Sequence, residues 1–108
     1  MVFYKHLIFG EKAKKTKYKI FRHLKKNDFS IDTYLITFPS NPNNLLDIIS
    51  SNELLQAHYK NSKIQDKLFV IGIAKGKDEA FLIVRDLIDR VYKETGGFNI
   101  KAYLGINN

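Results

Sequence analysis

The amino-acid sequence predicts a small layered α/β domain, β-α-β-α-β-α-β, with four mainly parallel strands and three helices. Three observations carry that expectation. The run Leu68–Ala74 (LFVIGIA) has no polar side chain and is too short for an ordinary helix, so it reads as a strand covered on both faces. It feeds a long segment in which Ala80, Val84, Leu87, Ile88 and Val91 recur at three- and four-residue intervals, the stripe of an amphipathic helix. Each strand-like segment is followed by a helix-like one, which implies parallel strands joined by right-handed crossovers.

Taken in order, Val2–Phe9 is a first strand, with Phe3, Leu7 and Phe9 on one face and Val2, Tyr4 and Ile8 on the other. Lys5 and His6 interrupt both faces and point to an edge or a half-covered position. From Glu11 to Lys26, Ala13, Ile20, Phe21 and Leu24 line one side of an expected helix, although Thr16, Tyr18 and Ile20 also alternate as a strand would. Asn27-Asp28 breaks the pattern. Ile31, Thr33, Tyr34, Leu35, Ile36 and Thr37 are strand formers within a second strand, Ser30–Phe38. The loop 39–44 (PSNPNN) follows, with Asn41 as N-cap and Pro42 at the first position of a helix through Leu45, Leu46, Ile48 and Ile49. Ser50 and Glu53 have capping-box spacing, so the helix is expected to restart there and run to Tyr59. Residues 60–67 form a polar connection.

Gly72 inside the apolar strand signals a close approach to its backbone. Asp78 is the expected cap of the long helix, with Glu79 near its positive end. Phe81 and Tyr92 widen the apolar stripe. The pairs Arg85–Asp89, Asp86–Arg90 and Arg90–Glu94 lie four residues apart on its outer face, and Thr95-Gly96-Gly97 supplies a left-handed stop. A last strand is expected over Phe98–Leu104.

At 108 residues the chain is read as one domain over residues 1–108. Its 44% hydrophobic and 13% aromatic content is that of a folded protein. The chain lacks cysteine, which excludes disulfides and thiol chemistry. No stretch approaches the length of a membrane span, and the N-terminal run lacks the cleavage pattern of a signal peptide, so a cytoplasmic location without a membrane partner is expected. The net charge of +7 is localised. Residues 1–26 hold nine basic side chains against Glu11, a balance of +8, and the remainder balances at −1.

The blocks SNPNNLLDIIS (Ser40–Ser50) and GIAKGKDEAFLIV with VYKETGGF (Gly72–Phe98) resemble small conserved bacterial proteins to which no activity is attached. The resemblance covers most of the chain and implies a single-domain protein found in its own right. It transfers no functional residue.

Two sets of residues are candidate sites. Lys12, Lys15, Lys19, Arg22 and Lys26 fall on the polar side of the first helix, where a cationic stripe can track phosphates, and Tyr18 beside it can stack on a base. A solvated face that keeps the chain soluble explains the same stripe, and composition alone favours it narrowly. The second set is at the strand-end loops: Asn41, Asn44, Lys75 and Lys77, with helix N-termini that could hold an anion or a nucleotide phosphate. Plain turn and cap chemistry also accounts for these, since the Gly72–Asp78 segment is neither a P-loop nor a dinucleotide fingerprint. His6, His23 and His58 are scattered, so no metal site is expected. Asp32, Asp47 and Glu53 could gather into a nuclease-like site only without specific spacing. The aromatics read mainly as core, with a surplus on the two terminal strands that suits a dimer face.

The sequence therefore points first to a non-catalytic binding module for nucleic acid or another polyanion, acting through the basic helix. The alternatives are a small-molecule or nucleotide-phosphate binder, conceivably an enzyme, and a protein-interaction subunit. No cofactor is implied, and a homodimer is expected.

Overall fold

The computed structural model describes residues 2–25, 32–39, 44–54 and 67–106, and only the backbone of residues 23–25, 52 and 54. The elements are β1 (Val2–Phe9), α1 (Glu11–Lys15), α2 (Lys17–Lys25), β2 (Thr33–Thr37), β3 (Asp47–Ser50), α3 (Ser51–Leu54), β4 (Phe69–Lys75), α4 (Lys77–Thr95) and α5 (Ile100–Tyr103). The strands form one sheet in the order β1-β4-β2-β3. β1 runs parallel to β4, while β2 is antiparallel to both β4 and β3.

The fold is α/β, but the sheet is mixed and not mainly parallel. The reason lies at residues 45–50. Leu45, Leu46, Ile48 and Ile49 mimic helical spacing, yet Asp47–Ser50 pairs as a strand, with Leu35 opposite Ile49 and Ile36 opposite Ile48. Among the described residues no helix separates β2 from β3, and the two strands pair antiparallel. The expected restart at Ser50 is real. Ser50 Oγ accepts from Glu53 N–H at 3.2 Å while Glu53 Oε1 accepts from Ser50 N–H at 3.3 Å, the reciprocal bonds of a capping box. Its extension to Tyr59, the loop residues Ser40, Asn41 and Pro42, the Asn27-Asp28 break and His58 lie outside the described residues.

β4 occupies the interior of the sheet, as its apolar run requires. Val70, Ile71, Ile73 and Ala74 are fully buried. The pairings Ile36–Gly72 and Thr37–Val70 leave Ile71 as an extra residue in β4, a bulge that reverses the facing of the strand at that point. Val70 and Ile73 thus join Leu7, Phe9, Leu35 and Ile49 under Ala13 and Ile20 on one face of the sheet. Ile71 and Ala74 join Tyr4, Ile8 and Ile36 under Ala80, Leu87, Val91 and Ile100 on the other. A methyl group on Gly72 would sit 3.2 Å from Ile36 Cδ1 and 3.3 Å from the Ile8 carbonyl oxygen, which is the close approach expected there.

α4 begins at Lys77 with Gly76 as its N-cap, two residues ahead of the expected Asp78 cap, and ends at Gly96 with φ of 74°. Its surface pairs differ from the sequence expectation: Asp89 pairs with Lys93 at 3.0 Å, and Arg85 approaches Asp86. The final segment is a second departure. Phe98, Ile100, Ala102 and Leu104 alternate like a strand, but Asn99 Oδ1 accepts from Ala102 N–H at 3.1 Å and caps the single turn α5. That turn is tied down at both ends, since the Tyr103 hydroxyl donates to Glu94 and the Leu104 carbonyl accepts from the Tyr4 hydroxyl. A one-turn helix buries Ile100 against α4 without needing a fifth strand site on the sheet.

Candidate functional site

The basic segment forms two helices and not one. At Thr16 the backbone turns to φ −124°, ψ 24°; its N–H donates to the Ala13 carbonyl, and its own carbonyl accepts from Ile20 N–H. Ala13 and Ile20 are held in the core on either side of this break. Because the helical phase restarts at Thr16, residues on α1 and α2 do not share the single wheel that the sequence suggests. Lys12 and Lys15 are exposed on α1, and Lys19 and Arg22 are exposed on α2, so the cationic face survives as two adjoining patches. Lys26 lies outside the described residues.

Tyr18 is 77% exposed, the most solvent-accessible large ring of the described residues. The Lys17 ammonium stands 5.3 Å from its centroid. On α2, Arg22 falls one turn beyond Tyr18, so the exposed ring has Lys17 against it and a second cation on the same side of the helix. An isolated exposed tyrosine on a solubility helix has no such need for neighbours. Stacking on a base with phosphates held alongside is the chemistry this arrangement offers.

The strand-end loops are arranged differently from the expectation. Because β2 runs against β4, Thr33 is level with Lys75, whereas Thr37 is level with both Val70 and Asp47. Asn44, just ahead of β3, therefore lies toward the opposite end of the sheet from Lys75 and Lys77, roughly 16 Å away along the strands at 3.3 Å per residue. Lys75 and Lys77 are also engaged: Lys75 Nζ is 3.8 Å from Asp32, and Lys77 Nζ lies 5.7 Å from the Phe81 ring centroid. Asn41 lies outside the described residues.

At the true carboxyl edge of β1 and β4, the anion position is filled by the chain itself. Glu79 accepts from the backbone N–H groups of Lys12 (2.9 Å), Ala13 (3.1 Å) and Lys75 (3.0 Å). Its carboxylate caps α1 and clamps the end of β4 at once. Partial burial by itself pushes this carboxyl up, but the three donors and the charge of Lys12 more than reverse that, and its pKa is lowered. Gly10 makes the approach possible, since a β-carbon there would stand 1.9 Å from Glu79 Oε1. The cavity of about 530 Å³ beside this clamp carries Glu11, Asp78, Glu79 and Asp86 against Lys12 and Arg90, an acidic lining ill suited to a phosphate. Nothing in the local sequence announces the clamp, because Glu79 reads as an ordinary first-turn acid.

Among the described residues no three His, Cys, Asp or Glu side chains gather as a metal site, and no helix is long and apolar enough to cross a membrane. Asp32 and Asp47 stand at opposite ends of the sheet, and Glu53 is used in its capping box. Several aromatics read as core are instead half-exposed: Phe81, Tyr92 and Phe98 on and beside α4, and to a lesser degree Phe3 on β1. No family model, curated protein or solved structure matches the chain.

Proposed function

We propose that this chain is a non-catalytic module that binds nucleic acid without sequence preference, through the outward faces of α1 and α2. The observation that carries this reading is the exposed Tyr18 ring with Lys17 against it, Arg22 one turn further on the same side of α2, and Lys19 exposed on the same helix. Lys12 and Lys15 extend the cationic surface along α1. Stacking favours a single strand, whose bases are free to lie on a ring, over a duplex, whose bases are already stacked.

Fluorescence anisotropy of labelled single- and double-stranded oligonucleotides, at low and near-physiological salt, tests it. Dissociation constants in the range of about 1–100 µM, rising steeply with salt, are expected for this kind of contact. Replacing Lys15, Lys19 and Arg22 with Gln flattens the slope of log K against log salt by about 2 on a single strand, at ~0.7 per lost phosphate contact. Tyr18→Ala weakens single-strand binding by roughly 5- to 100-fold, the equivalent of one lost stack, and affects a duplex less. An affinity and a salt slope left unchanged by the triple substitution would refute the assignment of this surface.

A further inference from the structure

The solvent side of α4 carries more apolar surface than a solvated helix needs. Phe81 and Tyr92 are 51% and 52% exposed, and Phe98, itself half-exposed, stacks on Tyr92 with centroids 5.2 Å apart. Phe81, Arg85, Ile88 and Tyr92 follow one another at intervals of four, three and four residues and so form one stripe. Leu82 adds to it, and a shallow hollow of about 540 Å³ runs beside Phe81, Leu82 and Arg85. Large aromatic side chains left exposed at both ends of one helix stripe are candidates for an interface.

The order of residues along the stripe identifies the occupant. We propose that it is a second copy of this chain, packed antiparallel along α4 about a two-fold axis that crosses between Arg85 and Ile88. That axis sets Phe81 of each copy against the partner's Tyr92, since the two are equidistant from it in sequence. A two-fold of this type keeps every side chain on its own side of the seam, so the side bearing Asp78, Arg85, Asp89 and Lys93 meets its own counterpart. There Arg85 falls within one residue, about 1.5 Å along the axis, of the partner's Asp89. Asp78 falls within two residues of the partner's Lys93. Each opposite-charge pair occurs twice, and all four side chains are exposed; forming these pairs exchanges the Asp89–Lys93 and Arg85–Asp86 contacts within each chain for contacts across the seam. Charge that complements itself under a two-fold is a property of surfaces that pair with themselves.

The contact is modest. Half-exposed aromatics each leave roughly 100 Å² to bury, so the seam falls below the ~800 Å² per partner of a standard interface and belongs to the weak, reversible class. This pairing is independent of nucleic-acid binding, because α1 and α2 lie on the other face of the sheet.

Sedimentation velocity of the full chain between roughly 1 and 300 µM, a span that brackets weak association, tests the proposal. The wild-type mass should rise from one chain toward two. Arg85→Glu and Asp89→Arg should each weaken association by about 10- to 100-fold, because each turns two attractions into two repulsions. An equimolar mixture of the two variants should associate again, since the mixed pair has an attractive contact at both positions. Circular dichroism of each variant checks that α4 remains folded. A wild-type chain that stays monomeric throughout, variants that dimerise as well as wild type, or a mixture that fails to recover would each overturn the proposal.

Discussion

Replacing Glu79 with Ala removes a single carboxylate and leaves three backbone donors without it: Lys12 and Ala13 N–H in the first turn of α1 and Lys75 N–H at the end of β4. A hydrogen bond to a charged acceptor contributes about 1.5–3 kcal/mol, and loss of a helix cap costs about 0.5–2 kcal/mol. The clamp is partly open to solvent, so water replaces some of what is lost and the lower values apply. The sum is then about 2–4 kcal/mol, a large share of the ~5–15 kcal/mol that holds a domain together. Urea unfolding at neutral pH measures it. The carboxyl's folded pKa lies below its unfolded value, so its contribution is complete above the unfolded pKa and drains away as pH falls through the folded one. The gap between wild type and Glu79→Gln should accordingly narrow on acidification and close once both side chains are neutral. Gly10→Ala displaces the same carboxylate by collision, so the double variant Gly10→Ala with Glu79→Ala should cost little more than either alone. A Glu79→Ala cost below about 0.5 kcal/mol, within the range of an ordinary surface substitution, would refute this reasoning, as would full additivity with Gly10→Ala.

Two further outcomes follow from the packing and can be read by the same unfolding measurements. Gly72→Ala should destabilise by about 1–3 kcal/mol, the usual cost of overpacking, and Ile36→Val, which removes the Cδ1 atom it would strike, should restore part of that loss. Asn99→Ala should cost about 0.5–2 kcal/mol through the lost cap, with Asn99→Asp nearly neutral, because a carboxylate oxygen can take the Ala102 N–H in the same place.

The sequence made the long elements legible wherever burial and periodicity agreed. β4 and α4 were readable because one is apolar on both faces and the other has a sustained stripe with a glycine stop. The edge position of β1 was readable from Lys5 and His6. The short elements were not. Two apolar doublets in Leu45–Ile49 fit a helix as well as a strand, and the pairing partner that decides between them, β2, is a tertiary fact. Phe98–Leu104 alternates over too few residues to outweigh the cap at Asn99. One wrong assignment then propagated: reading the residues of β3 as part of a helix between β2 and β4 made those two strands parallel and put Asn44 at the wrong end of the sheet. For the candidate interface, residue types were legible while their phase was not, because the break at Thr16 depends on Ala13 and Ile20 both reaching one core. The Glu79 clamp spans 66 residues in sequence to Ala13, and no local pattern encodes a contact of that range.

The strand order also governs when the sheet can be completed. β1 precedes the other strands in sequence, yet among the described residues its neighbour in the sheet is β4, which begins at Phe69, so synthesis must pass β2 and β3 and reach β4 before β1 can pair. Until then, among the described residues, Leu7 and Phe9 are covered by α1 and α2, and Phe3 by Phe21 of α2. β2 and β3 can pair as a local hairpin well before that, leaving a template onto which β4 docks and which β1 then closes. Closing contacts of such long range cost loop entropy before they return any stability, which slows folding and prolongs the time that apolar β1 is exposed. Lys5 in the middle of that strand, on an edge left unpaired until β4 arrives, is placed where charge best discourages two unfinished chains from pairing with each other.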